Sequence, residues 1–334
     1  MKQILISTLV FLTLSCQQKQ NDYVKIEGSI FGTYYHIIYQ ANQENDTLDK
    51  GVLQVLNEVN ASLSTYVKTS TISVFNQSSK GVVPDAMMKK VFVTGQDIFK
   101  NSKGAFDMTV GPLVNAWGFG FKKQDQVTAE LIDSLRNNVG MDMVQLQDGF
   151  LKKERPGIML DASAIAKGFG VDVAADFLAS QGVKNYMVEI GGEIRASGIN
   201  HKAIPWRVGI DKPIDDKAAQ DRELQAVLSL SDVALATSGN YRNFYVKDGK
   251  KYAHTIDPNT GYPVQHSLLS ASIIAPDCMH ADAYATACMV MGLEKGFALI
   301  DSLPDTKGYF IYVDENGKNK VKFTKGFKDL LVEN

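Results

Sequence analysis

His280-Ala-Asp-Ala-Tyr-Ala-Thr-Ala-Cys-Met-Val-Met-Gly292, HADAYATACMVMG, reads as an alanine-rich helix set among strands, with helix expected over Asp282 to Met291. Strand-like runs flank it at Leu268 to Ile274 and Gly308 to Val313. Further upstream, Tyr186 to Ile190, Trp206 to Ile210 and Leu224 to Leu230 follow one another with no helical pattern between them. That order argues for an α+β protein with antiparallel sheets and packed helices, against a doubly wound parallel sheet.

The first half adds strand-like runs at Tyr23 to Ile30, Tyr34 to Tyr39 and Gly157 to Leu160. Helical spacing appears at Val52, Val55, Leu56, Val59 and Leu63, at Met88, Val91, Phe92 and Phe99, at Leu131 with Leu135, and over Ile165 to Ser180. Lysines between Lys318 and Lys328 alternate with Val321 and Phe323, as on a half-buried strand.

The chain begins MKQILISTLVFLTLSC. Its apolar run, Ile4 to Leu14, is too short to span a bilayer and reads as a cleaved leader over residues 1–15. Leu-Thr-Leu-Ser-Cys resembles a bacterial lipobox, which would lipidate Cys16 and anchor the chain to a membrane from the periplasmic or extracytoplasmic side. A plain secretory leader is the alternative. Residues 16–22 would be the lipidated cysteine and tether, and 23–334 a single domain. Lys plus Arg (35) nearly balance Asp plus Glu (37) with no basic block, which argues against a nucleic-acid partner.

After Cys16 only Cys278 and Cys288 remain. On one helix they would lie about 15 Å apart, beyond disulfide reach, so two buried free thiols are expected. A zinc set of Cys278, His280, Asp282 and Cys288 fits no familiar spacing. Neither a Walker loop nor a GxGxxG turn after a strand is present.

Four clusters carry chemistry. Asp282 and Thr286 share a helix face, so both can reach one hard cation such as Mg²⁺. Equally, Asp282 can serve the helix N-terminus while Thr286 bonds back to a carbonyl. In Leu160-Asp161-Ala162-Ser163-Ala164-Ile165-Ala166-Lys167-Gly168 a strand delivers Asp161 and a helix opens near Ser163, which suits an anion or a metal. There the plainer reading is Ser163 as a cap with Lys167 in solvent. Ala105-Phe106-Asp107 offers a ring to stack on and a polar edge, or Asp107 simply caps the next turn. The fourth runs Ala236-Thr237-Ser238-Gly239-Asn240-Tyr241-Arg242-Asn243, then His254-Thr255-Ile256-Asp257-Pro258-Asn259-Thr260-Gly261. There His254 is one of only five histidines, a candidate proton acceptor or a structural residue.

Together and in this order the clusters resemble the ApbE-type FAD:protein FMN transferases, periplasmic flavin-trafficking lipoproteins among them. The resemblance runs through Phe31-Gly32-Thr33, Leu63-Ser64-Thr65-Tyr66, Gly104-Ala105-Phe106-Asp107, Thr109-Val110-Gly111-Pro112-Leu113 and Trp117-Gly118-Phe119-Gly120. It continues through Leu160-Asp161, Ala166-Lys167-Gly168, Gly191-Gly192-Glu193-Ile194-Arg195, Ala236-Thr237-Ser238-Gly239, His254 to Pro258, and Ala281-Asp282-Ala283 with Ala285-Thr286-Ala287. It departs at Phe31, where methionine is frequent, and at Asp161-Ala162-Ser163-Ala164, which replaces a turn with leucine and glycine.

The resemblance implies a fold likened to the tetrahydropterin enzymes (T-fold-like). It also implies a Mg²⁺- or Mn²⁺-dependent reaction in which FAD is split, FMN is esterified to a Thr or Ser hydroxyl of a target flavoprotein, such as a membrane redox subunit, and AMP leaves. Asp282, Thr286 and the Ala164 carbonyl would hold the metal. Phe31, Tyr66, Ala105, Phe106, Asp107, Asp161, Lys167 and the Ile256 backbone would hold FAD, with His254 and Asp282 catalytic. An FAD pyrophosphatase giving FMN and AMP, or a non-catalytic flavin-binding lipoprotein, are the alternatives.

Overall fold

The runs at Tyr186, Leu268 and Gly308 join the N-terminal hairpin in one antiparallel sheet, whereas those at Trp206 and Leu224 pair with each other in a separate ribbon. The computed structural model describes residues 23–41, 48–120, 127–213, 223–240, 244–247 and 250–332. The leader, Cys16 and the tether lie outside these residues, as do Tyr241, Arg242 and Asn243. In chain order, β1 (Tyr23–Ile30) and β2 (Thr33–Gln40) precede α1 (Asp49–Leu63), α2 (Thr71–Gln77), β3 (Gly81–Val82) and α3 (Ala86–Asn101). Then come α4 (Gly111–Ala116), α5 (Ala129–Arg136), β4 (Val144–Gln147), β5 (Phe150–Lys153) and α6 (Ala166–Ser180). The second half holds β6 (Tyr186–Ile190), β7 (Glu193–Ser197), β8 (Trp206–Asp211), β9 (Leu224–Leu230), β10 (Val233–Gly239), β11 (Phe244–Lys247), β12 (Lys250–Ala253) and β13 (Leu268–Ala275). After α7 (Cys278–Met291) and α8 (Leu293–Ser302), β14 (Lys307–Val313) and β15 (Asn319–Phe323) follow.

The main sheet has eight strands in the order β1-β2-β6-β7-β10-β13-β14-β15. Every neighbouring pair is antiparallel. The expected α+β class is therefore the observed one. Period two divides the side chains of the central strands between two faces. Leu235 and Ile274 join the core under the β8–β9 ribbon with Trp206, Val208, Leu228 and Phe327. Ala236 and Ala275 face the other way, against Ala281 of α7.

Small residues on both partners let α7 lie close to the sheet. Ten of its residues are buried, from Cys278 and Met279 to Cys288 and Met289, so it is apolar nearly all round. A helix of that kind belongs inside the protein rather than on its surface. Its sides meet β10 and β13, α6, α8 and α3. Cys278 and Cys288 are buried free thiols, as the sequence reading expects. No described helix is long and apolar enough to cross a membrane.

Three expectations are corrected. Gly157 to Leu160 is not a strand. Side chains occupy its backbone groups before a ladder can: the Leu160 N–H donates to Asn76 Oδ1 (2.7 Å) and the Leu160 carbonyl accepts from Asn76 Nδ2 (2.8 Å). The buried Lys153 ammonium donates to the carbonyls of Ile158 (2.9 Å) and Phe75 (3.0 Å), tying the segment to the end of α2.

The helix after Asp161 opens at Ala166, with Ile165 at its N-cap, rather than near Ser163. The Ser163 N–H folds back onto Asp161 Oδ1 (2.7 Å), and the amides of Ile165 and Ala166 both reach the Ala162 carbonyl, making a separate turn first. Likewise α7 begins at Cys278, four residues before Asp282. Its free amides already have carboxylates: Cys278 and Met279 donate to Asp172 (2.9 and 2.8 Å), and His280 donates to Asp277 (2.9 Å). Asp282 is therefore one turn inside the helix and does not cap it.

Candidate active site

Glycine decides how closely α6 and α7 approach. A Cβ on Gly168 would stand 2.2 Å from the Cys278 carbonyl oxygen and 2.8 Å from the Asp282 Cβ, closer than packed atoms tolerate. With hydrogen there instead, the Gly168 N–H donates to Asp282 Oδ2 at 3.0 Å. In an uninterrupted helix that N–H would go to the Ala164 carbonyl four residues back. Among the described residues no backbone N–H is directed at the Ala164 carbonyl, which is left as a free acceptor at the mouth of α6.

On the next turn of α7, Thr286 Oγ1 lies 3.3 Å from Ser238 Oγ on β10. That contact replaces the carbonyl back-bond weighed from sequence. Lys167 is half-buried rather than in solvent: its ammonium is 2.5 Å from Glu193 Oε1 and 3.9 Å from Asp282 Oδ1. Burial works against its charge, but Asp282 and Glu193 outweigh it and hold the lysine pKa above its usual value. Burial pushes the Glu193 carboxyl up, against the pull of the Lys167 ammonium.

The other clusters connect to this pair of helices in a closed circuit. The Asp161 N–H donates to the Met108 carbonyl (2.7 Å), and a Cβ on Gly111 would touch the Asp161 Cβ at 3.6 Å. The Asp161 turn therefore rests on the segment that follows Asp107. From there Trp117 Nε1 donates to the Gly261 carbonyl (2.8 Å), and the rings of Phe119 and His254 meet edge to face at 6.4 Å. Ile256 packs with Leu113, Trp117 and Ile132. Thr255 Oγ1 donates to Asn240 Oδ1 (2.9 Å), and β10 leads from Asn240 back to Ser238 and Thr286. All four sequence clusters are thus adjacent in space.

The remaining candidates lie around the circuit. Phe31 occupies a two-residue turn between β1 and β2 with φ of 54°, beside Gly32 at 74°. Both signs are positive, the hairpin geometry that matches strand twist. Its ring lies over Gly170 of α6, where a Cβ would be 2.5 Å away. Ala105 and Phe106 are buried, and the Phe106 N–H donates to Ser102 Oγ (3.0 Å). Tyr66 is 74% exposed in the α1–α2 connection, so its ring face is open to a ligand.

Asp107 caps the turn Met108–Val110 by accepting from the Thr109 N–H (2.7 Å) and the Thr109 hydroxyl. Burial pushes its carboxyl up to about 6, while the Thr109 and Met141 bonds pull the other way. The folded state then keeps a proton that the unfolded chain has lost between pH 3.8 and about 6. Stability attributable to Asp107 is therefore present below that window and falls as pH rises through it. Urea midpoints of Asp107→Asn across these pH values are expected to slope less than the parent's; an unchanged slope would refute this.

Among the described residues no three His, Cys, Asp or Glu side chains converge as a metal cluster. The zinc set is excluded by position, because the Cys288 thiol is directed at the Gly296 carbonyl and His280 Nδ1 pairs with Asp277 (2.7 Å). What Asp282, Thr286 and Ala164 present instead is a carboxylate, a hydroxyl and an uncommitted carbonyl. An oxygen-only set with one carboxylate suits Mg²⁺, which shares its shell with water and substrate phosphates. Two surface hollows, along α1 and beside Glu294 and Asp314, include none of these residues.

Glu193 and Ser238 also lie at this junction, where residue type alone in the sequence does not single them out. The alternation along β7 was the available signal: Glu193 and Arg195 share a face, and Arg195 pairs with Asp172 and Asp176 of α6 (3.1 and 2.9 Å).

Fold and site together define an α+β protein in which α6 and α7 meet through the Gly168–Asp282 contact beside an antiparallel sheet. The chain belongs to the ApbE family, whose model matches residues 31–310. It is 40% identical to an FAD:protein FMN transferase of Vibrio cholerae over 90% of this chain and 91% of that one. A second, from Haemophilus influenzae, is 37% identical over 98% of this chain and 96% of its own. Among solved structures, the flavin transferase ApbE from Vibrio cholerae superposes with a TM-score of 0.84 at 38% identity, covering 93% of this chain and 99% of its own. The apo flavinyl transferase ApbE of Pseudomonas stutzeri gives 0.83 at 32% identity over 93% and 97%.

Proposed function

We propose that this chain moves FMN from FAD onto a threonine or serine hydroxyl of a target flavoprotein, through a phosphoester and with release of AMP, in a Mg²⁺- or Mn²⁺-dependent reaction. What supports this reading is the circuit of contacts that brings four separated clusters next to one another in an ApbE-family chain.

Asp282, Thr286 and the Ala164 carbonyl are the groups that would hold the metal, which when bound neutralises phosphate charge as a Lewis acid. Lys167 adds a cation for the diphosphate. The ring of Tyr66 offers a stacking face to the flavin or adenine, and Phe31 closes the edge over α6. Ala105, Phe106 and Asp107 with Asp161 and the Ile256 backbone form the polar and apolar floor for the dinucleotide.

His254 accepts the proton of the acceptor hydroxyl as its oxygen bonds to the FMN phosphorus. The phosphorus–oxygen bond to AMP breaks, so charge and atoms balance. Such a base contributes about 10²- to 10⁴-fold. His254→Ala is therefore expected to slow protein flavinylation by about 10²-fold or more while FAD still binds. Flavin fluorescence of the acceptor on a denaturing gel measures the first, and equilibrium dialysis the second.

With FAD, Mg²⁺ and an acceptor flavoprotein, AMP release should require the acceptor and match acceptor-bound FMN. AMP at full rate without acceptor would mean hydrolysis, and FAD surviving intact would mean a binding protein. For the same chain we propose export and anchoring through lipidated Cys16, facing the periplasm or extracytoplasmic space. Replacing Cys16 with serine should then move the protein from the membrane to the soluble fraction.

A further inference from the structure

We propose that Glu193 is a positioning residue that holds Lys167 away from Asp282 and so keeps the Asp282 carboxylate available to a divalent cation. The proposal rests on the reading of Asp282 as a metal ligand. Glu193 opens β7 directly after a two-residue turn, Gly191-Gly192, with φ of 63° and 103°. A Cβ on Gly191 would stand 2.8 Å from the Thr33 side chain, so the turn admits little variation and the start of β7 is fixed.

Glu193 is 4% exposed. Its Oε1 takes the Lys167 ammonium at 2.5 Å, while the same ammonium stays 3.9 Å from Asp282 Oδ1. Its other oxygen, Oε2, is buried with no hydrogen-bond partner among the described residues. A carboxylate present only to build an ion pair would be expected to use both oxygens, because a buried unmet acceptor is costly. Here two carboxylates compete for one ammonium, and the one that is not a proposed ligand has the closer hold.

The consequence is a direction. Without the Glu193 charge, Lys167 closes on Asp282 and competes with an incoming cation for the same carboxylate. Glu193 thus strengthens metal binding without touching the metal. A ligand or a merely structural residue behaves differently when Lys167 is also removed.

Mn²⁺ alone, titrated into the full chain and read as loss of the free-ion electron paramagnetic resonance signal, tests this. Glu193→Gln is expected to weaken binding at least about 10-fold, and Glu193→Gln with Lys167→Met to return it to within about 3-fold of the parent. Parent-like affinity in Glu193→Gln, or no recovery in the double variant, would overturn the proposal. Should the glutamine variant not fold, Glu193→Met, which removes the charge at similar volume, carries the same test. Weaker binding is expected there too, and parent-like affinity overturns it. If Asp282→Asn leaves Mn²⁺ binding unchanged, it is the metal reading that fails.

Discussion

Asp282→Asn is expected to lower FMN transfer by about 10³-fold at fixed Mg²⁺, a loss of about 4 kcal/mol of transition-state stabilisation. The amide keeps the shape of the side chain and an oxygen for the Gly168 N–H, now 3.0 Å away, so the α6–α7 junction persists. What disappears is the single negative charge in an otherwise neutral set of Thr286 hydroxyl and Ala164 carbonyl. Raising the metal concentration should recover part of the rate. Flavinylation of an acceptor measured across a Mg²⁺ series, with far-ultraviolet circular dichroism as the fold control, decides the matter. A parent-like rate at low Mg²⁺ would remove Asp282 from the metal site.

Asp172→Ala is expected to produce the largest loss of stability, about 3–5 kcal/mol. Its two oxygens take the N–H groups of Cys278 and Met279, at 2.9 and 2.8 Å, where α7 enters the core. Arg195 reaches it at 3.1 Å. Burial holds the Asp172 carboxyl up at about 6 despite these partners, so the loss comes from stranding buried amides more than from lost ionic attraction. Asp176 provides the control. It binds the same arginine at 2.9 Å but is 59% exposed, and its removal should cost no more than about 1 kcal/mol. Urea unfolding midpoints compare the two, and equal losses would contradict the assignment.

Much of the fold was legible because local pattern and final structure agree. Tyr23–Ile30, Tyr186–Ile190 and Leu224–Leu230 appear with the limits that their composition suggested. The helices around Val52 to Leu63 and Met88 to Phe99 follow equally from 3.6-residue spacing. Gly157 to Leu160 misled because its apolar residues look like a strand, whereas Asn76 and Lys153, distant or off-pattern in sequence, claim its backbone. The start of α7 is hidden from local pattern because half of its cap comes from Asp172, more than a hundred residues earlier.

Among the site residues, sequence pattern singled out Asp282, Thr286, Lys167 and His254 as residue types able to do chemistry, and it left a plainer reading beside each. Spacing along one helix puts Asp282 and Thr286 on a shared face, since i and i+4 side chains always align. It cannot say what that face meets. Only the packing of α6 on α7 turns the Gly168 N–H to Asp282 and leaves the Ala164 carbonyl without a backbone donor among the described residues, and only sheet register sets Glu193 beside Lys167. Periodicity is a property of neighbouring residues and is written in the chain. The choice of hydrogen-bond partner between distant segments is made by the competition for buried space, and that competition exists only once the chain has folded.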